Sequence, residues 1–83
     1  MKLEQRILEN YPDEQILLLD GFDDAFIGIG NQFNKLIAIY DRNKCIEVLE
    51  ESGMDVEGAI EYFEFNIQSA YVGEGTPIFL IEI

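Results

Sequence analysis

Histidine is absent from this chain, cysteine occurs once, and no lysine or arginine follows Lys44. Without histidine, neither a Ser-His nor a Cys-His nucleophile pair can be assembled, and hydroxyl side chains are scarce: Ser52, Ser69 and Thr76 are the only serines and threonine. A lone Cys45 excludes an internal disulfide, and no C-x-x-C knuckle marks a zinc site. No apolar run approaches the roughly 18 residues of a membrane span, and the start lacks the basic-then-apolar layout of a signal peptide. These absences predict a cytoplasmic chain with no membrane partner, no cofactor and no enzymatic activity of the common kinds.

What remains is an 83-residue chain that is 48% hydrophobic, with six Phe and four Tyr, which points to a folded domain with one small core instead of an acidic disordered tail. Seventeen acids against five bases give a net charge of −12. The imbalance is uneven. Residues 1–44 hold eight acids and all five bases, whereas residues 45–83 hold nine acids and no base. Direct binding to nucleic-acid phosphate is disfavoured, since that affinity comes from cations that displace counterions. A basic protein partner is favoured, the bland alternative being that net charge merely keeps a small protein soluble.

The chain opens with Leu3, Ile7, Leu8 and Tyr11 at helical spacing, predicting a capping helix from about Lys2 to Asn10 that Pro12 closes off. Ile16–Leu19 is an apolar run that periodicity assigns to neither state, with helix or loop preferred over strand. Asp20-Gly21-Phe22-Asp23-Asp24 is a turn by composition, followed by a strand over Ala25–Ile29, in which Gly28 suggests a bulge or a close backbone approach. Asn31–Asn34 supplies a hairpin loop, and Leu36–Tyr40 returns as a β-branched and aromatic strand. Asp41 or Asn43 then caps a helix bearing Cys45, Ile46, Val48 and Leu49. Gly53 stops it as the left-handed C′ residue, with Leu49 and Met54 in hydrophobic contact. Thr76-Pro77 turns into a last strand, Ile78–Ile83, which is apolar on both faces and therefore expected inside the sheet.

The stretch 53–75 carries the clearest period. Val56, Ile60, Phe63, Ile67, Ala70 and Tyr71 fall on one face of a helix that Asp55 caps and Gly73 ends. Gly58, Tyr62, Phe65 and Ser69 form a second stripe, set off from the first by acids on one side and Asn66 on the other. Either another helix of this chain or a partner must cover that second stripe, and large rings are the residues that anchor interfaces. The resulting order α-β-β-α-α-β predicts a single α+β domain over 1–83: a capping helix (1–12), a hairpin (20–40), a helix pair (43–72) and a final strand (77–83), with two or three helices packed on one face of three strands.

Glu57, Glu61 and Glu64 stand at i+4 and i+3 steps, and Glu47, Glu50 and Glu51 join them from the preceding helix. Such a row of negative charge can imitate a nucleic-acid strand and steer the chain into the cationic groove of a nucleic-acid-binding protein. Together with Tyr62 and Phe65 these residues are the candidate partner-binding site. Asp20, Asp23 and Asp24, with Glu74, are the alternative metal ligands for a phosphate-processing enzyme, but the EF-hand spacing is not met and clustered turn acids usually cap local backbone. Gly28-Ile29-Gly30 precedes a strand and not a helix, so it is no phosphate loop, and Cys45 on an apolar helix side reads as an inert core residue. The same ring stripe also suits a homodimer.

The blocks D-G-F-D-D-A (20–25), E-Y-F-E-F-N (61–66) and A-Y-V-G-E-G-T-P (70–77) resemble small proteins of bacteriophages and of bacteria carrying phage-derived DNA. The resemblance covers residues 16–83 and rests mainly on the last two blocks. It implies a phage accessory protein inside a bacterial cell and brings no catalytic residues with it.

Overall fold

A computed structural model describes residues 3–70, 73 and 75–83. In chain order these form α1 (Leu3–Asn10), β1 (Phe26–Gln32), β2 (Lys35–Asp41), α2 (Arg42–Glu51), α3 (Val56–Tyr62), which runs on into a π-helical turn (Phe63–Gln68), and β3 (Ile78–Leu80). The α-β-β-α-α-β order and the α+β class follow the sequence pattern. The sheet is ordered β1-β2-β3, with β1 antiparallel to β2 and β3 parallel to it.

The hairpin is set by side chains that prefer a pleated surface. Its register shifts between Phe26 and Gly28, leaving Ile27 as the extra residue of a bulge, which is the irregularity that Gly28 announced. The close approach lies two pairs further on, where a Cβ on Gly30 would stand 2.9 Å from Ile39 Cδ1. Both strands run further than their sequence suggests, to a Gln32–Lys35 pair, so only Phe33 and Asn34 make the turn. Phe33 consequently takes a positive φ of 58°, rare for a bulky residue, and holds its ring 92% exposed.

The core lies on the face of β2 that carries Ala38 and Tyr40. Cys45, Ile46 and Leu49 from α2 and Ala59 and Phe63 from the α3 segment close over it. Phe26 meets the Tyr40 ring edge-on at 5.6 Å, and Phe63 meets Phe79 of β3 edge-on at 4.9 Å, so one aromatic line crosses all three strands. The Tyr40 hydroxyl accepts a 2.8 Å hydrogen bond from the Leu19 N–H, pinning the irregular segment that brings Ile16, Leu18, Leu19 and Phe22 against the same core. Burial raises the Tyr40 pKa, against the opposing pull of the Leu19 bond.

Local chemistry fixes the helix ends. Asp41 accepts from the Lys44 N–H at 3.2 Å and Asp55 from the Gly58 N–H at 2.7 Å, the two N-caps. Between them, Gly53 at φ 117° donates to Glu50 O and Met54 to Leu49 O, the paired bonds of a Schellman stop.

Four expectations need correction. In α1, Leu3 and Ile7 are buried, but Leu8, about 100° round the helix from Ile7, and Tyr11, past the helix end, face solvent. Regular α-helix ends at Tyr62, and the wider π turn displaces the residues after it from the 3.6 period. Ala59 and Phe63 are buried, Ile60 and Ile67 half-buried, while Val56, at the first helical position, and Ala70, beyond the last, are exposed. The described helix closes at Gln68, short of Gly73, and Tyr71 and Glu74 lie outside the described residues. Finally, β3 is an edge strand of three residues and not an interior one, since β2, with neighbours on both sides, takes the central place. Among the described residues no helix is long and apolar enough to cross a membrane.

Candidate interaction surface

Helix α3 and its π turn bury one side against β2 and β3 and leave the opposite side to solvent. Along that outer side Glu57, Glu61 and Phe65 follow one another at steps of four, with Tyr62 adjacent, and all are exposed. Phe65 is 78% accessible and Tyr62 44%, so no described helix of the chain covers the second stripe. Glu47 and Glu51 of α2 are exposed as well, whereas Glu50 is half-buried where its carbonyl closes the Schellman stop.

Glu64 stands apart from the others. Arg42, in the first turn of α2, donates to Glu64 Oε2 at 3.3 Å and to Gln68 Oε1 at 3.5 Å, while its guanidinium lies 5.8 Å from the centre of the Phe63 ring. An exposed pair of this kind stabilises by about 0–1 kcal/mol, so its main effect is geometric: it ties α2 to the π turn. It also occupies Arg42. Seven carboxylates lie from Glu47 to Glu64, and the other base of this helix pair is Lys44, in the same first turn of α2 as Arg42. Nothing in the sequence flagged this contact, because its partners are 22 residues apart and meet only when the two helices pack.

The other candidates sort differently. Gly21, at φ 87°, turns the chain ahead of a short 3-10 turn over Asp23–Ala25, and Asp20, Asp23 and Asp24 line an open hollow with Glu4, Leu18 and Leu19. Among the described residues no three carboxylate or thiol groups are placed to hold a metal ion. Cys45 is fully buried, and burial, with Asp41 adding to it, pushes its thiol up to about 11. It is a core side chain.

The outer side of the helix thus carries exposed carboxylates interrupted by two rings, with Arg42 engaged at its flank. Comparison of the chain with protein-family models, with curated proteins and with solved structures gives no match.

Proposed function

We propose that this is a non-enzymatic modulator that binds a basic protein through the outer side of α3. The observation that carries the reading is the Glu57–Glu61–Phe65 line with Tyr62 beside it, solvent-exposed on a helix whose other side is locked into the core. Carboxylates at this spacing attract a cationic groove over a distance, and the two rings supply the apolar contact that charge alone lacks. A nucleic-acid-binding protein is the partner class such a row suits, the carboxylates standing in for phosphates. The resemblance to phage-type proteins supplies the setting, a bacterial cell in which such a modulator acts on a host or phage protein.

The test is affinity capture from a bacterial lysate by the wild-type chain and by Glu57/Glu61/Glu64→Gln, at low and at high salt. Retention of a basic protein by the wild type alone, lost at high salt, is the expected result. Equal retention of the same proteins by both forms rejects the acidic side as the binding face.

A further inference from the structure

The helix already holds one guanidinium. Arg42 lies with its guanidinium carbon 5.8 Å from the centre of the Phe63 ring, donates to Glu64 Oε2 at 3.3 Å, and reaches Gln68 Oε1 from its Nε at 3.5 Å. One planar cation is thus served by a ring, a carboxylate and an amide oxygen. Glu64 and Gln68 are four residues apart, so in this part of the helix two groups at that spacing fall within the span of a single guanidinium.

The outer side offers the same kinds of group with no cation on them. Glu61 and Phe65 are also four apart, and Tyr62 precedes Phe65 by three, the two spacings that make side chains neighbours on a helix. Phe65 is 78% exposed. Among the described residues no cation and no second ring meets it, and Glu61 has no ion pair. Arg42 is not free to serve this side, since Glu64 and Gln68 hold it on the flank that faces α2.

Charge selects a cation here, and the ring selects which one. A lysine ammonium is a compact, strongly hydrated charge that carboxylates alone satisfy. A guanidinium is planar and weakly hydrated, so it lies on a ring face while its edge donates to oxygen. We propose that Glu61 and Phe65, with Tyr62 beside them, seat an arginine side chain of the basic partner, its guanidinium stacked on Phe65 and donating to Glu61 as Arg42 does on Phe63 and Glu64. This rests on the reading of the acidic side given above and narrows it: the partner presents arginine, and not positive charge alone.

Titration of the full chain with labelled hexa-arginine and hexa-lysine at low salt is the experiment. Carboxylates elsewhere on a chain of net charge −12 attract both peptides, so the ratio of the two dissociation constants is what is read. The wild type should favour arginine. Phe65→Leu, which keeps an apolar side chain and removes the ring, should cut that preference by about two- to five-fold and leave lysine binding nearly unchanged. Phe33→Leu removes an equally open ring from the hairpin tip, where no carboxylate stands between Ala25 and Tyr40, and should leave the ratio alone. Should Phe65→Leu alter the circular-dichroism spectrum, NMR contacts between the Phe65 ring and the arginine δ-methylenes on the wild type decide instead, and their absence overturns the proposal. A preference that Phe65→Leu leaves unchanged, or that Phe33→Leu also removes, overturns it too. If both peptides bind equally and Glu57/Glu61/Glu64→Gln weakens both, the arginine seat falls and the acidic-side reading stands; if that variant weakens neither, both fall.

Discussion

The hairpin and the helix pair divide the work of this molecule unequally. From Ala25 to Tyr40 the chain has no carboxylate and a single lysine, whereas from Arg42 to Gln68 it has seven carboxylates and two bases. In the hairpin, side chains are chosen for pairing and burial, and the strain it carries is confined to Phe33 at the tip. In the helix pair only the underside is chosen that way: Ala59 and Phe63 are fully buried while Glu57, Glu61 and Phe65, on the same helix, make no core contact. Stability and outward chemistry are thus separable on α3, and substitutions on its two sides should have unlike consequences.

The largest expected effect comes from the underside. Phe63→Ala removes a ring that is 0% exposed and packed on Phe79 and Arg42, and should cost about 3–5 kcal/mol in urea unfolding. A loss below about 1 kcal/mol would mean that the helix pair is not what closes the core. Next is the helix start, where Asp55→Ala deletes the carboxylate that caps Gly58 and should cost about 1 kcal/mol by the same measurement. The hairpin should respond in the opposite sense. Phe33→Gly relieves a positive φ and gives up no buried ring, so it should gain about 0.5–1 kcal/mol, after the added freedom of the unfolded chain is set against the relieved strain.

The smallest effect at neutral pH belongs to Cys45. Burial raises its pKa in the folded chain, so the folded state keeps a proton that the unfolded state releases, and the unfolded state binds fewer protons. Its contribution is whole below the ordinary thiol value of 9 and is lost as pH rises toward about 11. Urea midpoints of wild type and Cys45→Ala, followed across that interval, should converge as pH rises. Parallel curves would show a thiol that is not desolvated.

How much of this was legible in the residues depends on how local the determinant was. The N-caps at Asp41 and Asp55, the Schellman stop at Gly53 and the Gly28 bulge each rest on a few neighbouring residues, and the sequence pattern carried them. The edge position of β3 did not show, because an apolar run states that a strand is buried or wants to be, and not which neighbour lies beside it. Phe33 is a register effect: pairing Gln32 with Lys35 leaves two residues for the turn and forces positive φ on an unsuited one. Helical spacing puts Val56 on the core stripe, but at the first helical position it lies beyond the packed surface, and the buried side of the helix begins at Ala59. For the candidate surface, the acids and rings are legible from spacing, but the Arg42 clamp on Glu64 and Gln68 arises only from the packing of two helices.

Association kinetics with the captured basic partner, measured across a salt series for wild type and Glu57/Glu61/Glu64→Gln, bear most directly on the outer side of α3. Electrostatic steering predicts a wild-type on-rate that falls steeply as salt rises, and a variant rate that starts low and stays nearly flat, the variant losing in urea no more than the about 0–1 kcal/mol of the Arg42–Glu64 pair. Equal on-rates for the two forms at low salt would contradict it.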